Sequence, residues 1–291
     1  MIYLRQLRTF LGLEILPNCT RRTLHLSQTK DIEKILATHH MQACNPATTP
    51  ADPHIRLEKS SQDFEASATE RRNYQSAVGS LIYAMLSTRP DISYAVSKVS
   101  HYASNPNSTH WTAVKRILRY LAGSPNRGMC YTIQDIRSGF TDAYWGAADD
   151  RKSIGGYTFM LNRASISWNS KKQTTVALSS TEAEYRALTQ AVKEYLCLQA
   201  LLLDLGARRH LEGVRNIYID NQGVLALARN PEFHARTKHI DIQYHIVRQH
   251  LENEKIALTY CPTSEMTADI FTNALPQSAF TKHNLGLGLI D

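Results

Sequence analysis

The 291-residue sequence predicts an α/β protein in which residues 135–291 form a mixed five-stranded sheet with helices on both faces, preceded by a mostly helical stretch, residues 1–134. Three observations predict it. After about Arg137 the apolar pattern changes from helical spacing to three successive period-2 runs. Those runs are followed by helix and strand patterns in the order α, β, α, α, β, α. Asn45 to Ser67, rich in Pro, Thr, Ser and Asp, marks a long loop or linker in the first half. The 43% hydrophobic and 20% charged composition suits a globular chain of roughly two domains.

In the first half, Phe10 to Ile15 and Arg22 to Leu26 read as two short strands around the turn residues Pro17-Asn18, and Gln28 to Ala37 reads as a helix. A second helix covers about Ala68 to Leu86. The next opens at Pro90, a residue suited to a first helical turn, and ends near Ser104-Asn105-Pro106. The last runs from about Thr109 to Ala122 and stops at Gly123. In it Ala113, Ile117, Tyr120 and Leu121 share an apolar face, while Lys115, Arg116 and Arg119 lie together on the other. A solvated surface is the plain reading of those three cations; a face that tracks phosphates is the functional one. The domain boundary is expected between Tyr131 and Ser138.

In the second half, Ser138 to Trp145, Gly155 to Leu161 and Ala164 to Asn169 read as an antiparallel meander. A long helix spans about Ser180 to Asp204 and ends at Gly206. Strand Val214 to Ile219, a short helix to about Ala228, a loop through Pro231 and a helix from about His239 to Glu252 follow. A strand from Lys255 to Tyr260 and a final helix near Glu265 to Leu275 complete the pattern.

Composition also excludes function classes. Cys19, Cys44, Cys130, Cys197 and Cys261 are odd in number, scattered and never C-x-x-C, which argues for reduced thiols and against a disulfide framework or zinc knuckle. No segment approaches the ~18 to 20 unbroken apolar residues of a membrane span. Arg5 and Arg8 stand where a secretory signal would need its apolar run. An intracellular protein, cytoplasmic or nuclear, with no membrane partner is the expectation. The net charge of +7 suits a polyanionic partner such as nucleic acid.

Hydrolysis of a phosphodiester by two divalent ions needs several carboxylates converging on metals ~3.5 to 4 Å apart. The second half offers four acids at strand ends and helices. Asp142, in Phe140-Thr141-Asp142-Ala143-Tyr144, shares a strand face with Phe140 and Tyr144, where an acid calls for a partner or a metal. In the long helix, Glu184 lines up with Leu188, Ala191 and Tyr195 and so looks toward the core. Glu182 lines up with Arg186, Thr189 and Lys193, which predicts an outward ion pair with Arg186. Asp220 ends a strand just before a helix; alone it would be an N-cap. Asp269 alone would be a surface acid. His234, His239, His245 and His250, spaced by five, six and five, do not stack on one helix face and are read as packing or hydrogen-bonding residues.

These residues resemble the RNase H domain of Ty1/copia-type retrotransposon Pol polyproteins. The motifs are Thr141-Asp142-Ala143, Lys152-Ser153-Ile154-Gly155-Gly156-Tyr157, Ile166-Ser167-Trp168-Asn169-Ser170-Lys171-Lys172-Gln173, Ala177-Leu178-Ser179-Ser180-Thr181-Glu182-Ala183-Glu184-Tyr185, Asp220-Asn221-Gln222, Arg236-Thr237-Lys238-His239-Ile240-Asp241 and Ala268-Asp269-Ile270. Upstream, Phe10-Leu11-Gly12-Leu13-Glu14-Ile15, Leu26-Ser27-Gln28, Gly79-Ser80-Leu81-Ile82-Tyr83 and Thr88-Arg89-Pro90-Asp91 resemble the palm end, thumb and connection of the family's reverse transcriptase.

The resemblance implies that 135–291 is an RNase H-like domain and 1–134 a C-terminal reverse transcriptase remnant. It implies an RNase H that cleaves the RNA of RNA–DNA hybrids with two Mg²⁺ ions, Mn²⁺ being a substitute. Asp142, Glu184, Asp220 and Asp269 would be both catalytic and metal-binding, Lys115, Arg116 and Arg119 would contact nucleic acid, and the rest of Pol or a palm-containing chain would be a further partner.

Three departures bear on this. The family's paired polymerase aspartates have no counterpart: the one Asp-Asp, Asp149-Asp150, precedes Arg151-Lys152 and reads as a solvated turn, so DNA synthesis by this chain alone is not expected. Tyr144 stands where the family usually has Asp, and Asn273 where it has Lys. The loop Cys261-Pro262-Thr263-Ser264-Glu265 lacks the His that cellular RNases H place there, which predicts slow turnover. The alternative reading is a non-catalytic nucleic-acid-binding fragment of a degenerate Ty1/copia reverse transcriptase.

Overall fold

The computed structural model describes residues 7–61, 63–133, 137–146, 150–207, 216–229 and 238–291, without the side chains of residue 137 and residues 238–244. The chain divides into two units. The first comprises residues 1–134, 162–164 and 274–291; the second comprises 135–161 and 165–273. The sequence reading gave everything after 134 to one domain. The tail 274–291 instead groups with the first unit, because its strand pairs there.

The first unit holds a five-stranded antiparallel sheet that the pattern only half revealed. Its strands are β1 (Thr9–Phe10), β2 (Leu13–Asn18), β3 (Thr23–Ser27), β4 (Gly128–Thr132) and β10 (Leu289–Ile290), in spatial order β1-β2-β3-β4-β10. The expected strand Phe10–Ile15 is broken into β1 and β2 by Leu11 and Gly12, both at positive φ. Gly12 has no room for a side chain: an added Cβ would lie 2.8 Å from a carboxylate oxygen of Asp31.

Helices α1 (Thr29–Thr38), α2 (Ala68–Ser87), α3 (Ser93–Ser100), α4 (Ser108–Ala122) and α8 (Gln277–Gly286) complete this unit. Helix α2 starts where Ser67 and Glu70 form a reciprocal capping box. Its face of Tyr74, Ala77, Val78, Leu81 and Ala84 is buried. Between α2 and α3, Arg89 and Asp91 form an ion pair of 2.8 Å with both side chains fully buried, and Arg89 also donates to the Ser124 carbonyl at 2.8 Å. Thr88 Oγ1 donates to Gln28 Oε1 at 2.8 Å, and Tyr83 donates to the Leu11 carbonyl at 2.6 Å. The upstream motifs are thus tied to one another as structural contacts.

The second unit is built on a mixed five-stranded sheet in the order β7-β6-β5-β8-β9. Its strands are β5 (Arg137–Tyr144), β6 (Ile154–Leu161), β7 (Ala164–Lys172), β8 (Asn216–Ile219) and β9 (Ala257–Tyr260). Strand β5 is central: it pairs antiparallel with β6 and parallel with β8, and β8 pairs parallel with β9. The long helix α5 (Ser180–Asp204) lies on one face, with α6 (Gln222–Arg229) and α7 (Lys238–Glu252) packed against it. Tyr185, Leu188, Ala191, Val192 and Tyr195 of α5 enter a core with Ile217, Ile219, Val224 and Leu258. Each such aliphatic side chain stabilises the fold by about 1.5 to 3 kcal/mol on burial.

Small residues bring α5 close to the strand that carries Asp142: Ala143, Ala183 and Ala187 form a buried cluster with Ala177. On the opposite face of β6 an added Cβ at Gly156 would lie 2.6 Å from the Phe271 Cβ. The helix expected near 265–275 is therefore a close-packed element, but not an α-helix. It is two 3-10 turns, Thr263–Glu265 and Thr267–Phe271, separated by the extended backbone of Met266 (φ −72°, ψ 93°). Among the described residues no helix is long and apolar enough to cross a membrane, and all five cysteines are free.

Candidate active site and metal centre

Three acids meet at one end of the second sheet. Asp142 near the end of β5, Glu184 in the second turn of α5 and Asp220 just after β8 each offer an oxygen, and the three oxygens lie within 4.8 Å of one another. The parallel pairing of β5 with β8 sets two of these acids on adjacent strands, and the alanine contact between β5 and α5 brings the third alongside.

Each carboxylate is held by a neighbour. The Thr272 hydroxyl donates to Asp142 Oδ2. Thr263 Oγ1 donates to Asp220 Oδ2 at 2.8 Å, and Asn221 Nδ2 donates to Glu184 Oε1 at 2.9 Å. Asn221 also accepts from the Val224 amide through Oδ1 at 3.2 Å. Asn221 therefore caps α6, the role that the plain reading gave Asp220, and this leaves the Asp220 carboxylate for the cluster. Glu184 Oε2 is buried and has no hydrogen-bond partner among the described residues.

The energetics are those of crowded anions. Burial, reinforced by the charges of Asp220 and Asp269, pushes the Asp142 carboxyl up to about 7. Burial, with Asp142 and Asp220 nearby, pushes Glu184 up to about 8. Asp269 is raised to about 6 by burial and then by Asp220. Asp269 stands outside the three-residue cluster but close enough to couple electrically to Asp142 and Asp220. An all-oxygen donor set, like charges forced together and an unpartnered buried oxygen fit a hard divalent cation such as Mg²⁺.

Glu182 departs from expectation. It makes the predicted ion pair with Arg186, at 2.5 Å, but its side chain is only 8% exposed rather than turned to water. Its second oxygen accepts from the Leu178 amide at 2.7 Å, so it braces the loop before α5. Periodicity placed it on the polar face; the loop folding over that face buried it.

No family model matches the chain. Over 277 residues it is 43% identical to the retrovirus-related Pol polyprotein from transposon TNT 1-94 of Nicotiana tabacum, which takes in 93% of this chain and 20% of that protein. Over 287 residues it is 40% identical to the Pol polyprotein from transposon RE1 of Arabidopsis thaliana, 98% of this chain and 19% of that protein. The chain belongs to the retrovirus-related Pol polyproteins of Ty1/copia-type transposons. It spans about a fifth of the length of these curated relatives. Among solved structures, an RNase H1 isolated from compost aligns with 51% of this Pol chain and 98% of its own, at 13% identity and a TM-score of 0.36.

The remaining expected site residues of this Pol chain lie in the first unit. Lys115 is exposed. Arg116 is engaged: its guanidinium pairs with Asp52 at 3.0 Å and donates to the Thr49 hydroxyl and carbonyl at 3.0 and 3.2 Å. Arg119 Nε donates to the Asn45 carbonyl at 2.6 Å. Two of the three cations therefore pin the 45–52 loop to α4. His234 and the His239 side chain lie outside the described residues. His250 is held below the usual histidine range by burial and then by Lys255. Thr272, Thr263 and Asn221 are the site residues that sequence reasoning missed. The available signal was adjacency: Asn221 follows Asp220, and Thr272 lies three residues beyond Asp269.

Proposed function

We propose that this Pol chain is an RNase H-type endonuclease that hydrolyses the RNA strand of RNA–DNA hybrids, with Asp142, Glu184, Asp220 and Asp269 as its catalytic, metal-holding acids. The observation that carries this reading is the cluster of three carboxylate oxygens within 4.8 Å, with Glu184 Oε2 buried beside them and without a hydrogen-bond partner among the described residues. Divalent ions bound there, two Mg²⁺ or Mn²⁺, would polarise the scissile phosphate and supply a nucleophilic water near neutral pH.

The chain's own residues do the positioning. Thr272, Thr263 and Asn221 fix one oxygen each of Asp142, Asp220 and Glu184 and leave the other lone pairs for the cluster. Burial keeps Asp142 and Glu184 protonated to higher pH than ordinary acids, so loading a cation releases protons and is favoured as pH rises. Asp269 adds negative charge beside them and strengthens that demand.

The test is purified full chain with Mg²⁺ and an end-labelled RNA–DNA hybrid, run beside Asp142→Asn. Mg²⁺-dependent cutting by the natural chain that the variant lacks is expected. If both proteins leave the RNA intact, or cut it equally, the proposal fails. Salt-sensitive binding without cutting would instead favour the non-catalytic reading.

A further inference from the structure

The carboxylate cluster is a poor surface for a polyanion, so something beside it must attract and seat the strand. Immediately after β5, Trp145 leaves the sheet with 52% of its surface exposed. It is not loose, because its indole Nε1 donates to the Ala177 carbonyl at 3.0 Å. The loop that receives it is braced on both sides: Gln173 Nε2 donates to the Ala183 carbonyl at 2.7 Å, and the Leu178 amide donates to Glu182 at 2.7 Å.

On either side of buried Ala177 this loop presents Val176 and Leu178 to solvent, the latter 81% exposed. A rigid, exposed apolar patch thus lies three residues from Asp142 in the chain. Next to it, between β7 and α5, runs a groove of about 220 Å³ whose lining includes Lys171, Lys172 and Arg186. Lys171 is exposed and charged.

Apolar surface that begins three residues along the chain from Asp142, with the exposed Lys171 in the neighbouring groove, matches the chemistry of a nucleic-acid strand: sugar and base surface on one side, phosphate on the other. In A-like duplexes the wide, shallow minor groove displays sugars to such a surface. We propose that Trp145 and Leu178 are strand-positioning residues that pack against the sugars of a bound RNA–DNA hybrid, while the groove with Lys171 takes the neighbouring phosphates. This rests on the nucleic-acid reading above, but not on cleavage.

The experiment measures binding of a short fluorescent RNA–DNA hybrid to the full chain, in buffer without divalent ions. Trp145→Ala is expected to raise Kd about tenfold, within the range known for aromatic contacts with nucleic acid. Trp145→Phe should weaken binding less. Leu178→Ser, at a site too exposed to matter for folding, should weaken it several-fold. Inorganic polyphosphate, which has the charge but no sugars, should bind all four proteins alike. Hybrid should quench the tryptophan emission of the natural chain, and quench that of Trp145→Phe distinctly less.

The proposal is overturned if Trp145→Ala and Leu178→Ser, melting like the natural chain, bind the hybrid with unchanged Kd. It is equally overturned if polyphosphate binding falls in parallel with hybrid binding, since the contact would then be charge alone. A hybrid that binds in a Trp145-dependent way yet is never cut with Mg²⁺ supports this inference and sinks the nuclease reading; a hybrid that does not bind sinks both.

Discussion

Replacing Asp142 with Asn should stabilise the metal-free protein while removing its proposed chemistry. The folded state holds the Asp142 carboxyl at about 7, against an ordinary value of 3.8, mainly because burial penalises its charge. Between those values the folded form binds more protons at this carboxyl than the unfolded chain does, so the group's contribution to stability is most favourable at low pH and declines as pH rises from about 4 to about 7. Glu184, raised to about 8, and Asp269, raised to about 6, act in the same direction. For Asp142 the difference is worth at most about 4 kcal/mol at pH 8. The residue keeps partial exposure, and screening reduces that ceiling to about 2 kcal/mol. For a domain of this size ~2 kcal/mol corresponds to roughly 4 to 8 °C in Tm.

Asparagine keeps the shape and an acceptor for Thr272 but cannot ionise. Thermal unfolding followed by circular dichroism, in EDTA at pH 5 and pH 8, is the assay. Asp142→Asn should melt roughly 4 to 8 °C above the natural chain at pH 8, and above it by only about a third as much at pH 5, where the folded carboxyl is still protonated. Mg²⁺ should raise the Tm of the natural chain at pH 8 and affect the variant far less. A variant that gains nothing at pH 8, or gains equally at both pH values, would show that Asp142 is not held in a charge-averse site.

Three other changes probe the supporting residues. Asn221→Ala removes both the α6 cap and the donor to Glu184 Oε1. It should cost about 1 kcal/mol and move the Mg²⁺ concentration needed for thermal stabilisation upward, read from melts across a metal titration. Gly156→Ala drives a methyl to 2.6 Å from Phe271 and should destabilise by about 1 to 3 kcal/mol in urea unfolding. Arg116→Ala breaks the ties to Thr49 and Asp52 and should cost about 1.5 to 3 kcal/mol, whereas Lys115→Ala should stay within about 0.5 kcal/mol of the natural chain. Equal effects of the two in side-by-side melts would refute the assignment of Arg116 to loop anchoring.

Most of the second unit was legible from local pattern. The three meander strands, the span of α5 from Ser180 to Asp204, and the order of the elements from there through β9 appear as read. Period-2 and period-3.6 burial is a property of neighbours in sequence, so the sequence carries it openly. The lapses are where long-range packing overrides local preference. The 263–271 segment has helical spacing but is bent into 3-10 turns with an extended residue between, where it packs on β6. The short strand Leu289–Ile290 has no pattern of its own and exists because β4 offers an edge.

The same division holds for the site. Which groups are available can be read from the linear order of residues: four acids on strand and helix ends, a basic helix face, and no cysteine framework. How those groups are placed depends on the assembled fold. Asp142, Glu184 and Asp220 are dozens of residues apart and meet because β5 pairs with β8 and small alanines let α5 approach. Arg116 and Glu182 looked solvated on helical wheels, yet each is claimed by a loop that folds across it. A side chain's partner is set by which distant segment packs over it, and that free energy belongs to the assembled core rather than to any stretch of chain.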